Sequence, residues 1–354
     1  MGTSVSAVIR HVAESIGAGS RANAEAARAA VAGAGAPMLE RLAAALAGAQ
    51  HTPRPRAERR MLVIAVGDHG AGDPGISMGA DHPTIIAARE IATGTAAVAQ
   101  LARSARTPIV MIDAGAREAS HMPQSAVALG RGPTRDLARE PAMTIVDATL
   151  GLEAGIALAV SLAEGPEPLA LIALGALGVG AEVASAALIG AVTGRVPPGL
   201  DDPQAELAAR RGAELGGTSF ADLALGTQVT TREGLPGLAG PATIPPSALE
   251  LLAAFGGSET AVLAGLILGA ASINVPVILD SYATGAAALV AAQLAPAVTG
   301  YLVAAHRGSF TMPAILSHLR LEPIFEVGLG HGEGSGAAMV LALVDQVAQL
   351  ANPR

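Results

Sequence analysis

The sequence predicts an α/β fold: a mostly parallel sheet with helices on both faces, and a smaller helical domain added by the N-terminal (and C-terminal) helices. Three observations carry this. First, six stretches run from an apolar core through a glycine-bearing loop into a helical pattern: "MLVIAVGDHG", "TPIVMIDAGA", "LALIALGALGVGAEVASAALIGAV", "VPVILDSYATGAAALVAAQL", "AVTGYLVAAHRGS" and "PIFEVGLGHGEGSGAAMVLALVDQVAQL". Strand and helix alternating in this way build a parallel sheet covered on both sides. Second, the strand cores are continuously apolar, as strands buried on both faces are. Third, the first sixty residues are Ala-rich helical patterns, "NAEAARAAVAGAG" and "MLERLAAALAGAQ", closed by the Pro/Arg connector "HTPRPRAERR".

The connector divides the chain into an N-terminal helical segment, 1–58, and an α/β domain, 59–350. Within the latter, the region near 194–246 is dense in Pro and Gly and reads as long loops around one helix. Loops of that length are usually functional or mobile.

Composition narrows the function. The 354 residues are 51% apolar, enough for a sizeable core. Aromatic residues are scarce: Tyr282, Tyr301 and four Phe, with no Trp. Net charge is −8, and arginine clusters only locally, as in "RPRAERR". Stacking platforms and a basic footprint are both missing, which sets nucleic acid aside. Cysteine is absent, so disulfides, thiolate metal sites and cysteine nucleophiles are excluded.

The N-terminus lacks the basic start and apolar run of a secretory signal, and a cytoplasmic location is expected. It does match the short myristoylation pattern M-G-x-x-x-S. Mean hydropathy is +0.47. The longest apolar run, Thr260 to Tyr282, is broken by Asn274 and Pro276 and ends at Asp280, so it reads as buried helix, turn and strand rather than a membrane span.

In open, Rossmann-like sheets ligands sit outside the carboxyl ends of the strands. The polar and glycine residues at those ends are Asp68 and His69, Asp113, Gly175, Gly178, Gly180, Asp280, His306 and Glu333. They are expected to converge on one cleft. "GALGVGAEV" and "GHGEGSGA" suit backbone approach to a phosphate or carboxylate, and equally suit tight turns with close helix packing. Glu333 precedes a helical pattern, where a carboxylate either complements the helix dipole or serves as a general base. The His/Asp spacing around residues 68–82 matches no zinc pattern, and no metal is expected. A triad of Ser309, His306 and Asp280 lacks the G-x-S-x-G elbow.

"VGDHGAGDPGIS", "DAGA", "LAREPAMT", "GALGVGAEVASAAL", "VTGRVPPGLDD", "GGSETAVLAGLILGAASINVPVILDSYATGAAALVA" and "HLRLEPIFEVGLGHGEGSGAA" occur in the order and spacing of nicotinate-nucleotide:dimethylbenzimidazole phosphoribosyltransferases. The chain resembles that family over roughly residues 60 to 350. The resemblance implies transfer of phosphoribose from nicotinate mononucleotide, the donor substrate, to a benzimidazole nitrogen, giving an α-linked nucleotide for cobalamin biosynthesis and free nicotinate. It implies no cofactor, small-molecule substrates only and a homodimer, for which the Ala-rich N-terminal helices are suitable.

The resemblance also assigns roles. Glu333 stands at the position of the proposed general base, among Gly332, Gly334, Ser335 and Gly336, which let flat substrates and phosphate approach. Asp280, His306 and Ser309 line the cleft, and Asp68 and Ser77 border the base pocket. The sequence departs from the family pattern in several places. Ala176 replaces a glutamate, "DSY" replaces "DGF", Arg210 or Arg211 stands for a lysine on the phosphate side, and Gly330 and His331 replace Arg-Leu. The expectation is a divergent transferase that keeps phosphoribosyl transfer with a different acceptor base or a different donor. The alternative is a non-catalytic nucleotide-binding or regulatory homologue.

Overall fold

The computed structural model describes residues 5–71, 76–130, 132–197, 200, 202–215, 247–308, 311–327, 329 and 332–352. Seven parallel strands form one sheet: β1 (Arg59–Gly67), β2 (Ile109–Gly115), β3 (Val127–Ala128), β4 (Leu169–Leu177), β5 (Val277–Leu279), β6 (Leu302–His306) and β7 (Pro323–Phe325). Their order is β3-β2-β1-β4-β5-β6-β7. The winding therefore reverses between β1 and β4, and a crevice must open there, outside the strand ends. Six of the strands coincide with the apolar stretches of the sequence. The seventh, β3, is two exposed residues long and has no apolar signature.

Strand side chains alternate between two cores. Val63 and Ala65 of β1 enter one and Leu62, Ile64 and Val66 the other. The first core lies under α1 (Ala7–Ser15), α6 (Ile145–Ala163), α7 (Ala181–Thr193), α8 (Pro203–Leu215), α9 (Ala248–Phe255), α10 (Ser258–Ser272), α11 (Tyr282–Leu294) and α12 (Met312–Leu319). The second lies under α2 (Arg21–Val31), α3 (Pro37–Ala49), α4 (Pro83–Thr93), α5 (Ala97–Ser104) and α13 (Ser335–Ala351). The stretch from Thr260 to Tyr282 is the buried helix α10, a turn at Asn274 and strand β5.

Small residues permit the tightest helix crossing. Gly155 of α6 faces Val262 of α10, and Gly265 of α10 faces Leu152 of α6, each so closely that a Cβ would run into the other backbone. The outward side of α6 is different, with Val146, Leu150 and Val160 exposed. Among the described residues it is the one helix long and apolar enough to cross a membrane.

α13 is fixed to the sheet at its far end. Arg60, 4% exposed at the start of β1, donates to both oxygens of Asp345 at 2.9 Å, and Arg106 adds a third bond at 3.1 Å. The Arg60 hydrogen bonds hold the Asp345 carboxyl below the usual carboxylate range. Breaking such a partly buried pair leaves a charge stranded, so the contact fixes where α13 lies. The helix then delivers its N-terminus to the ends of β4 and β5.

Replacing Gly265 by Val should destabilise the fold by about 1–3 kcal/mol through overpacking at the α6–α10 crossing. Urea unfolding measures this, and an unchanged midpoint would contradict the close crossing.

Candidate active site

Asp280 follows β5 and is fully buried. Its Oδ1 accepts from the Ala337 amide at 2.9 Å and its Oδ2 from the Gly334 amide at 3.1 Å. A carboxylate is well placed there, because the first amides of a helix have no partner within it. Burial pushes the Asp280 pKa up to about 6; the amides of Ala337, Gly334 and Gly336 oppose this, and the nearby Glu333 charge adds to it.

Glu333 is the residue just before the α13 N-cap, Gly334, whose φ of 106° a side chain would strain. Its peptide is gripped from the other side by β4. The Ala176 amide donates to the Gly332 carbonyl at 3.0 Å, and a Cβ on Gly175 would run into the Glu333 carbonyl. Glu333 is thus half-buried and held between β4 and Asp280. Ser335 opens the helix, and Gly336 presses against both the His306 ring and Asp280.

His306 ends β6 with no exposed surface, and neither ring nitrogen has a hydrogen-bond partner. Burial holds the His306 pKa below its ordinary value. Ser281 Oγ, beside Asp280, is buried against Gly332, and Ser281 forms a capping box with Thr284 at the start of α11.

On the other side of the crevice, Asp68 follows β1 and gathers two loops and the start of α4. Oδ1 accepts from Thr84 Oγ1 at 2.5 Å and from the Val179 amide at 2.8 Å, while Oδ2 accepts from the Arg117 amide at 2.8 Å. Gly178 lies against Gly67, and Gly180, against Ala71, caps α7. Asp113 on β2 is buried and binds the Ala116 amide at 2.9 Å, and burial raises its pKa.

Beneath Asp68 lies a pair absent from the sequence reading as a unit. His69 Nε2 is 3.2 Å from Glu259 Oε1, and both side chains are 1% exposed. They are close enough to pair but not aligned as a hydrogen bond, since Nε2 and Glu259 Oε2 are both without one. Burial disfavours charge on each; even so, Glu259 lifts His69 above its ordinary value and His69 holds Glu259 below its own. The signal in the sequence is Glu259 itself, the one charge in the apolar run "GGSETAVLAGLILGAAS".

The strand ends therefore bring together Asp68, Gly175, Gly178, Gly180, Asp280, His306, Gly332, Glu333, Gly334, Ser335 and Gly336. Other expected residues are placed elsewhere. Ser77 is exposed on the loop after β1 and donates to Glu118 at 2.7 Å. Arg210 is exposed on α8 and paired at 2.6 Å with Glu206 of its own helix. Ser309, Gly330 and His331 lie outside the described residues, as does most of the Pro/Gly-rich region.

Asp280 needs its charge to hold both amides, so kcat should fall as pH drops through about 6. Asp280→Asn, which does not titrate, should give a lower kcat without that limb; a limb of unchanged position in the variant would assign the titration elsewhere.

A phosphoribosyltransferase family model matches residues 15–353. The nicotinate-nucleotide–dimethylbenzimidazole phosphoribosyltransferase of Roseiflexus castenholzii is 35% identical over 309 residues, covering 86% of this chain and 82% of that protein. The enzyme of the same name from Geobacter sulfurreducens is 32% identical over 309 residues, with 87% and 83% covered. Among solved structures, the enzyme of that name from Thermus thermophilus superposes with a TM-score of 0.70 at 29% identity, covering 88% of each chain.

Proposed function

Since the chain belongs to the phosphoribosyltransferase family, and its relatives act on nicotinate nucleotide and dimethylbenzimidazole, we propose that it transfers phosphoribose from nicotinate mononucleotide to a ring nitrogen of a benzimidazole-like base. The observation that carries the proposal is the placing of Glu333. Its backbone, through the neighbouring Gly332 carbonyl and Gly334 amide, is held by β4 and Asp280 at the head of a crevice lined by glycine backbone.

In this reading the acceptor nitrogen attacks the anomeric carbon as the bond to the nicotinate nitrogen breaks. The bonding pair leaves with nicotinate, whose ring becomes neutral. Attack from the opposite side inverts the centre and gives the α-linked product. Glu333 takes the proton from the acceptor N–H, so no charge is left on the new nucleotide's azole. Asp280 positions Glu333 and, with it, adds negative potential where the ribosyl carbon develops positive charge. The α7 N-terminus and the glycines at 178, 180 and 332 offer backbone to the donor's phosphate or carboxylate, while the α13 N-terminus is already taken by Asp280.

The proposal uses no cofactor and no metal. It places the enzyme in the cytoplasm as a homodimer. The outward stripe of α6, Val146, Leu150 and Val160, is an apolar surface suited to a second copy.

Purified protein should release nicotinate from nicotinate mononucleotide only when an azole is present, with a phosphoribosylated azole as product. Glu333→Gln should lower kcat by about 10²–10⁴-fold while leaving nucleotide binding within about threefold. Nicotinate release by the variant at the parent rate would remove Glu333 from the mechanism.

A further inference from the structure

The amino ends of β6 and β7 border a groove of about 630 Å³, at the opposite end of the strands from the crevice. Pockets of this size hold nucleotide-sized ligands. Leu302 of β6 and Ile324 of β7 give it an apolar floor, joined by Ala44 of α3. Residues of α2 and α3 make the facing wall. That wall is fixed to the sheet side, because a Cβ on Gly19, just before α2, would crowd the Gly300 carbonyl, just before β6.

Four arginines line the groove, Arg21, Arg28, Arg41 and Arg320, against two glutamates, Glu40 and Glu322. On a chain of net charge −8 this is a local excess of cations. Little within the protein neutralises it. The side chains of Arg28 and Arg320 make no ion pair or hydrogen bond among the described residues. Arg21 pairs with Glu25 at 2.8 Å, but the two side chains are 91% and 65% exposed, and so open a pair is easily exchanged for another anion. Arg41 is the most firmly placed. Its Nη2 donates to the Pro323 carbonyl of the edge strand β7 at 3.1 Å, while its Nε has no hydrogen-bond partner and exposed Glu322 lies 3.8 Å away.

A guanidinium fork matches the oxygens of a phosphate, and several around one groove suit a dianion. Carboxylates beside them accept from sugar hydroxyls, and an apolar floor takes a flat ring out of water. From this combination we infer that the groove binds a ribonucleoside 5′-monophosphate with an apolar base, its phosphate on the arginines, its ribose hydroxyls toward Glu40 and its base on Leu302 and Ile324. Free phosphate would leave the floor in water, and an unphosphorylated nucleoside would leave the arginines unanswered. The groove lies apart from the crevice, so this ligand is a second occupant of the molecule and not the substrate of the transfer. The nucleotide product of that transfer belongs to the same chemical class.

The test is methyl NMR of the full-length protein, titrated with benzimidazole riboside 5′-monophosphate. The Leu302 and Ile324 signals should shift and saturate. Inorganic phosphate and the unphosphorylated riboside, titrated in parallel, should each bind there about tenfold or more weakly. The double variant Arg28→Gln, Arg320→Gln should raise the Kd read from these two signals by about tenfold or more, with kcat for nicotinate release within about twofold of the parent. Unmoved signals would overturn the inference, as would an unchanged Kd in a double variant with the parent's melting temperature. If the double variant does not fold, an unchanged Kd in Arg28→Gln alone overturns it. Inorganic phosphate binding as tightly as the nucleotide would reduce the groove to an anion site, and shifts of the same signals on dilution alone would give it to a second copy; either result overturns the nucleotide assignment. Since the readout is binding at Leu302 and Ile324, a protein that releases no nicotinate with any acceptor would sink the transferase reading and leave this result standing.

Discussion

A buried carboxylate and the unpaired amides of a helix start meet at Asp280. The helix has N–H groups with no acceptor of their own, and the carboxylate has lost its water. Each resolves the other's problem, at 2.9 and 3.1 Å. Glu333 sits between the grip of Asp280 and the grip of β4, so its position follows from this one contact. Arg60 and Asp345 secure the far end of the same helix. The helix is thus pinned at both ends, by an ion pair at one and a cap at the other, and the crevice is built around its tip.

The opposite wall obeys the same logic with different parts. Asp68 gathers the amides of Val179 and Arg117 and the hydroxyl of Thr84, tying two loops and the start of α4 to the end of β1. Below it the His69–Glu259 pair occupies space between the glycines at 67 and 257, where any side chain would collide with it. Burying such a pair gains little stability over apolar packing of the same volume. Its worth is geometric: it joins β1 to the start of α10 where the winding of the sheet reverses.

Most of the fold was legible because parallel strands buried on both faces are written as unbroken apolar runs. Six such runs became strands, while β3 escaped because two exposed residues carry no such signature. Glu333, Asp280, His306 and the glycines could be named because a doubly wound sheet gathers its strand ends. The His69–Glu259 pair could not, since it depends on which elements are neighbours in the fold, and that is a tertiary fact. Arg210, named by matching position, is exposed and pairs with Glu206 four residues away on its own helix.

The two walls come from distant parts of the chain. Asp68 lies early, Gly175 in the middle, and Asp280 and the tip of α13 late, so the bonds from Ala176 to Gly332 and from Asp280 to Ala337 close only when the last helix docks. Contacts that distant in sequence make folding slow. Before docking, the apolar side of α13, with Val340, Leu341 and Val344, and the sheet face it covers both stand in water. An unfinished molecule is therefore adhesive but chemically inert, because it has no positioned acid. Completion of folding and arrival of Glu333 at the crevice are a single event, so any pool of incompletely folded chains should be a burden to the cell's chaperones without ever holding a finished site.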